Sequence, residues 1–303
     1  MNVKLVSAAE VKNVLTFKDL IPLMENALKK FSEKKIEQPV RTVIPVRESN
    51  GFLGIMPAYS SQDQALAAKL VTFFPHNTDV PTHNAVIVVF NTSTGVPEML
   101  MDGEVITTMR TAAVSAVATK HLCSVEEPRL AILGSGVQAR SHYQALSTLM
   151  KFKDVRIWSR TSANAESLSK ELGCTSCNSA EEAVKDADVI ITVTSSSKPV
   201  LMKEWVKPGA YINAVGACRP DWHEIDPALM NSAVLYVDSR NAALKESGDV
   251  ILAKAEIYAE VGEVISGQKE VVKGKTTLFK SLGLAIEDVM SAKLVAELLS
   301  KTE

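Results

Sequence analysis

Gly134, Gly136 and Ala139 stand in the spacing G-x-G-x-x-A within Arg129-Leu-Ala-Ile-Leu-Gly-Ser-Gly-Val-Gln-Ala. The apolar run before Gly134 reads as a strand, and the residues after Gly136 read as a helix. In that frame the pattern can hold a pyrophosphate. The first glycine permits a tight turn, the second lets backbone approach the phosphates, and the alanine lets helix and strand pack closely. The helix N-terminus adds free N–H groups and the positive end of its dipole. A Gly-rich turn without a ligand is the bland alternative. The strand–turn–helix frame and the alternating pattern that follows both argue against it.

The next strand ends in Arg156-Ile-Trp-Ser-Arg-Thr161. An NAD site would place Asp or Glu there for the ribose hydroxyls. Ser159, Arg160 and Thr161 stand there instead, and a guanidinium can grip a 2′-phosphate bidentately. NADPH is therefore expected over NADH, with Arg160 as the reader and Asn164 one helical turn on. Arg160 read alone would be a solvated surface charge. Thr194 and Val215 occupy later strand ends, where the nicotinamide of such a sheet is expected. For the Thr/Ser cluster around Thr194, a hydrogen-bonded turn is an equal alternative.

Three cations interrupt apolar text: Arg41 in Gln38-Pro-Val-Arg-Thr-Val, Lys69 in Ala67-Ala-Lys-Leu-Val, and Arg110 before Thr-Ala-Ala-Val-Ser-Ala. A charge inside an apolar run is costly unless it is paired. Converging, the three would clamp a carboxylate. Taken singly, each could equally be a structural ion pair or a snorkelling side chain. A desolvated Lys69 could also move a proton. His83 precedes the strongest strand of this region and either faces a cofactor or caps the strand. The remaining histidines show no metal spacing, so no metal is expected.

The elements that must position these residues fall into two kinds. Residues 8–34 and 104–122 read as helical, and several short strands lie between 40 and 90 without helices between them, which suggests a meander. From 129 the pattern switches. Strands at 130–133, 155–158, 189–193, 211–215 and 235–237 alternate with helical windows near 137–150, 162–172, 180–186 and 202–206. That is the signature of βαβ units and a parallel sheet. The residues from 282 to 299 read as one more helix. The expected fold is α/β: a Rossmann-type doubly wound domain over 121–280, and a second α+β domain from 1–120 plus 281–303.

Composition sets limits on partners. The 303 residues are 46% hydrophobic and 22% charged, with a net charge of −2. No basic field would draw nucleic acid or an anionic membrane. No run approaches the ~20 apolar residues of a membrane span. Few cysteines (Cys123, Cys174, Cys177 and Cys218) and the lack of a secretory signal at the start fit a reducing cytosol. Cys174 and Cys177 form a C-x-x-C, but no second pair or nearby histidines complete a zinc or redox site.

The blocks Gln38-Pro-Val-Arg-Thr-Val, Met56-Pro-Ala-Tyr, Lys69-Leu-Val-Thr-Phe, Arg110-Thr-Ala-Ala-Val-Ser-Ala and Gly134-Ser-Gly-Val-Gln-Ala together resemble the ornithine cyclodeaminase/mu-crystallin family. Glu204-Trp-Val-Lys-Pro-Gly, Ile212-Asn-Ala-Val-Gly-Ala-Cys-Arg-Pro-Asp-Trp and Ala242-Ala-Leu-Lys-Glu-Ser-Gly-Asp are similar to its mu-crystallin branch. The resemblance covers nearly the whole chain. It implies a cytosolic homodimer that reduces cyclic ketimine carboxylates with NADPH and also binds thyroid hormone (triiodothyronine). It further implies that Arg41, Lys69 and Arg110 hold the substrate carboxylate and imine, with Glu246 and Ser247 near substrate or hormone. Thr82, His83, Asn84, Arg110, Val137, Gln138, Ser159, Arg160, Thr161, Asn164, Thr194, Val215, Cys218 and Leu282 would border the cofactor. One departure matters. Cyclodeaminases carry an aspartate where Cys218 stands, and a thiol is a poor carboxylate base at neutral pH. Cys218 thus argues against the alternatives on this fold, an ornithine cyclodeaminase or amino-acid dehydrogenase. A non-catalytic hormone-binding or lens protein is a third reading.

Overall fold

The computed structural model describes residues 3–301. The chain divides into two compact units. The first comprises the residues up to Arg110 together with those from Gly283 onward; the second is Thr111–Leu282.

The first unit opens with β1 (Lys4–Val6). Ser7 then caps α1 (Ala8–Val14), accepting from the Glu10 N–H while the Glu10 carboxylate accepts from the Ser7 N–H. Thr16 caps α2 (Phe17–Ser32). The helical stretch expected over 8–34 is therefore two helices, because Leu15 is extended and Thr16 starts afresh. Leu20, Met24, Ala27 and Leu28 give α2 its buried face. Four antiparallel hairpin-like steps follow through β2 (Thr42–Val46), β3 (Gly51–Ser60), β4 (Ala65–Phe73), β5 (His83–Phe90) and β6 (Pro97–Asp102). The sheet order is β1-β6-β5-β4-β3-β2, with only β1 parallel to its neighbour. The meander over β2 to β5 is the one expected from sequence, whereas β6 was not expected and β1 is too short to show a period. Asp102 accepts from the N–H groups of Glu104 and Val105 and so starts α3 (Glu104–Leu122), which carries the chain into the second unit.

The second unit runs β7 (Arg129–Leu133), α4 (Val137–Ser147), β8 (Asp154–Trp158), α5 (Ser162–Leu172), β9 (Thr175–Ser176), α6 (Ala180–Val184), β10 (Val189–Thr192) and β11 (Tyr211–Ala214). It continues through α7 (Pro227–Ser232), β12 (Val234–Val237), α8 (Arg240–Glu246), α9 (Gly248–Ala253), β13 (Ile257–Glu260), α10 (Val261–Ile265) and β14 (Thr277–Lys280). Its eight strands are all parallel, in the order β13-β12-β14-β11-β10-β7-β8-β9. From β7 the chain winds one way to β8 and β9, then returns to β10 on the other side of β7. That reversal is the topological switch point, where a ligand crevice is expected. The last strand, β14, inserts between β11 and β12. It was not expected, since its four residues end in a lysine. The helical window expected near 202–206 is a single 3-10 turn, Lys203–Trp205. Pro208 follows closely and disfavours helix before it.

Past Leu282 the chain returns to the first unit as α11 (Ala285–Ser300), which packs on α2 and on β3, β4 and β5. It covers one face of the meander, where Met56, Lys69 and Ile87 lie side by side in register. The opposite face presents Ile55, Leu70, Val88 and Leu100, all only half-buried, and exposed Val86. No helix among the described residues is long and apolar enough to cross a membrane.

Candidate active site

In the second unit the glycine fingerprint has the geometry its chemistry needs. Gly134 adopts φ +127°, and a Cβ there would stand 2.8 Å from the Val193 carbonyl oxygen. A side chain is thus excluded twice, by conformation and by the β10 edge. Gly136 caps α4, and the space over its Cα is open. Val137 and Gln138 form the first turn, with Val137 exposed, while Ala139 is fully buried against the sheet. Ser135 donates to Ser159 at 2.9 Å, tying the loop to the end of β8. Arg160, Thr161 and Asn164 are exposed beyond that end, and Arg160 makes no ion pair among the described residues. The first turn of α4 is pinned from below. His142 Nδ1 donates to the Gln138 carbonyl (2.7 Å), and its Nε2 accepts from Ser115 (2.9 Å). Burial lowers the pKa of this imidazole to about 4, so it is neutral at pH 7. An open loop, free N–H groups and an uncommitted guanidinium fit a phosphorylated dinucleotide.

At the later strand ends, Thr194 and Val215 are half-buried, and Thr194 is held by Glu224. This carboxylate is fully buried and accepts from Thr192 Oγ1 (2.7 Å), Thr194 N (3.0 Å), Thr194 Oγ1 (2.8 Å) and Gly216 N (2.6 Å). Asp249 accepts in turn from the Glu224 and Ile225 N–H groups and pairs with Lys280 at 3.0 Å. Leu282 is buried, its N–H donating to Asp238 at 2.5 Å. Ser247 is also buried, and its hydroxyl caps α9 by accepting from Val250 N. Glu246 ends α8, half-buried, and Cys218 is exposed in the loop after β11. Among the described residues no group of His, Cys, Asp and Glu side chains has a metal-binding arrangement.

The first unit brings Arg41, Lys69 and Arg110 together. Lys69 and Arg110 are both buried and share the carboxylate of Asp288: Lys69 Nζ lies 2.6 Å from Oδ2, and Arg110 Nε donates to Oδ1 at 3.0 Å. Arg110 NH1 donates to Glu287 at 2.6 Å. Arg41 donates to the Gly283 carbonyl at 3.0 Å. Gly283 has φ +82°, and any side chain there would overlap the Arg110 guanidinium, so the glycine is what lets the chain pass the two arginines. Lys69 also donates to Thr107 Oγ1 at 3.3 Å. Burial lowers the Lys69 pKa to about 8; Asp288 opposes the shift and Arg110 and Arg41 add to it. Burial pushes Asp288 up, but Arg110 and Lys69 outweigh it and hold the carboxyl below its usual range. Burial lowers the pKa of His83, at the start of β5, to about 4, with Lys69 and Arg110 adding to the effect; its Nδ1 is 4.0 Å from Glu104. His83 is therefore a neutral donor or acceptor. Thr82 and Asn84 beside it are exposed.

Sequence reasoning missed the carboxylates. Glu287 and Asp288 sit in the first turn of α11 among Ala285, Ile286, Val289 and Met290, all buried. Two adjacent acids in a turn that is apolar on every side must meet cations, and that was the available signal. Glu224, Asp249 and Lys280 form a second buried charged group of the same kind.

The family model for "Ornithine cyclodeaminase/mu-crystallin family" matches residues 1–303. The chain belongs to the ornithine cyclodeaminase/mu-crystallin family. The mouse ketimine reductase mu-crystallin is 55% identical over 297 residues, 95% of each chain. Among solved structures, the Δ1-pyrroline-2-carboxylate reductase of Thermococcus litoralis, in complex with NADH and L-proline, superposes with a TM-score of 0.94 at 35% identity, covering 98% of both chains. An archaeal alanine dehydrogenase dimer with bound NAD gives 0.93 at 29% identity, covering all of this chain and 98% of its own. The α/β fold with its long parallel sheet is that of these members.

Proposed function

We propose that the protein reduces the C=N bond of cyclic ketimine carboxylates, such as piperideine-2-carboxylate, pyrroline-2-carboxylate and thiomorpholine-type ketimines, to cyclic amino acids, using NADPH. The observation that carries this reading is the convergence of Arg41, Lys69 and Arg110 around Asp288 and Gly283. Three cations against two carboxylates leave one net positive charge, which matches one substrate carboxylate. Arg41 and Arg110 bind that carboxylate, and Lys69 serves the imine nitrogen. The similarity to a ketimine reductase and to a pyrroline-2-carboxylate reductase supports the same chemistry.

NADPH, when bound, supplies the hydride. The Gly134–Ala139 turn and the α4 N-terminus take the pyrophosphate, and Arg160 takes the 2′-phosphate with Ser159, Thr161 and Asn164 around it. Thr194 and Val215 border the nicotinamide. NADPH rather than NADH is favoured by the missing carboxylate at the end of β8 and by the uncommitted Arg160. Cys218 supplies no carboxylate base, which favours reduction of a ready-made imine over deamination.

Three further properties complete the reading. The half-buried apolar face of Ile55, Leu70, Val88 and Leu100 serves as the homodimer interface. Thyroid hormone is a second ligand, since its amino-acid carboxylate suits the same cations. The location is cytosolic, in keeping with four free thiols.

A panel assay tests the activity: NADPH oxidation with several cyclic ketimines, with ornithine and with pyruvate plus ammonia as controls. Turnover confined to the ketimines is expected. Ornithine-dependent ammonia release, or inertness towards every ketimine, would refute the reading. Light scattering tests the dimer, with Val86→Arg expected to give monomers.

A further inference from the structure

We propose that Asp288 is the positioning residue of the cation cluster: its single carboxylate bridges Lys69 and Arg110, keeps Lys69 as an ammonium ion, and fixes Nζ for proton transfer to the imine nitrogen. This rests on the ketimine reading and deepens it.

The two adjacent acids divide the work. Glu287 meets Arg110 at NH1. Asp288 meets both cations, Lys69 through Oδ2 at 2.6 Å and Arg110 through Oδ1 at 3.0 Å. Every neighbouring element bears on Lys69. From α11 comes Asp288; from α3 come Arg110 and Thr107; from the segment before β2 comes Arg41; from β5 comes the neutral His83. Its partners across the sheet, Met56 and Ile87, are apolar and buried. Without Asp288 the ammonium would face two guanidinium groups in an apolar setting, and its proton would be lost. With Asp288 the charged form survives, although its proton is less tightly held than on a lysine in water.

The proton step balances. An N–H bond of Lys69 breaks and its electron pair stays on Nζ. The imine nitrogen's lone pair takes the proton and forms the iminium, which is the better hydride acceptor. The cluster loses one positive charge as the ring nitrogen gains one, so the total is unchanged and Asp288 stays ionised. Solvent returns the proton to Lys69 after the product leaves.

The test has a readout that does not depend on turnover. In protein carrying 13Cε-labelled lysine, the Lys69 resonance is assigned by its loss in Lys69→Met, and its titration is followed with pH. In Asp288→Asn its midpoint should fall by about one pH unit or more. The alkaline limb of kcat/KM for a cyclic ketimine should move down by the same amount, whereas a merely structural loss would lower the rate at every pH. In the unmodified enzyme the Asp288 13Cγ resonance should titrate with the Lys69 midpoint, which keeps the idea testable should Asp288→Asn fail to fold. Arg41→Gln should move the midpoint the other way, upward. A Lys69 midpoint that is unmoved in folded Asp288→Asn, or an Asp288 resonance blind to it, would overturn the proposal. Failure of the ketimine reading looks different: the titration stays coupled to Asp288, and no ketimine is turned over.

Discussion

Lys69 Nζ stands 2.6 Å from Asp288 Oδ2, and both side chains are withdrawn from water. A strand of the meander supplies one partner, and the helix that returns from the far end of the sequence supplies the other. The pair therefore exists only when the first unit is complete, with both of its chain segments in place.

Replacing Lys69 by Met keeps the side chain's bulk and removes the proton. Asp288 retains Arg110 as a partner, so the fold should survive. We expect kcat/KM for a ketimine to fall by roughly 10²–10⁴-fold, the range of a lost general acid, while NADPH binding, read by fluorescence titration, stays close to that of the parent. In the parent the rate should decline above pH 8, since Lys69 loses its proton near about 8 and only the ammonium form can give one. Parent-like turnover in Lys69→Met would remove this lysine from the mechanism.

Arg160 lies exposed at the end of β8 without an ion-pair partner among the described residues. Reversing its charge with Arg160→Asp should weaken NADPH by roughly 10–100-fold, the worth of a charge-assisted contact. NADH should be far less affected, so the ratio of the two kcat/KM values should swing towards NADH. An unchanged NADPH dissociation constant would refute the assignment.

How much of this was legible in the sequence follows from where each signal resides. The fingerprint is visible because its spacing, a local property of the six residues from Gly134 to Ala139, is all that the phosphate turn needs. Lys69 and Arg110 are visible because a charge in an apolar run stands out. Their partners were not, since Glu287 and Asp288 lie about 180 or more residues further along and only folding brings them near. β14 escaped for a related reason. Its Lys280 reads as a surface residue until Asp249, 31 residues away in sequence, is seen to neutralise it. The pause between α1 and α2 was readable in principle, as Thr16 with Asp19 three residues on is a cap in its own right.

That hidden pair gives a stability prediction. Lys280→Met would leave Asp249 buried without its cation, although still accepting from two backbone N–H groups. Breaking a buried pair from one side costs about 3–5 kcal/mol. The melting temperature should therefore drop on the order of 10 °C. A thermal midpoint within a degree of the parent would show that the pair is not needed.

The central claim, that this chain delivers hydride to a carbon–nitrogen double bond, is tested most directly by isotope transfer. NADPH dideuterated at nicotinamide C4 is mixed with piperideine-2-carboxylate and enzyme, and the product is analysed by mass spectrometry and NMR. The prediction is a saturated ring carrying one deuterium on the carbon that bears the carboxylate. An unlabelled product, or no product while the nucleotide still binds, would contradict it.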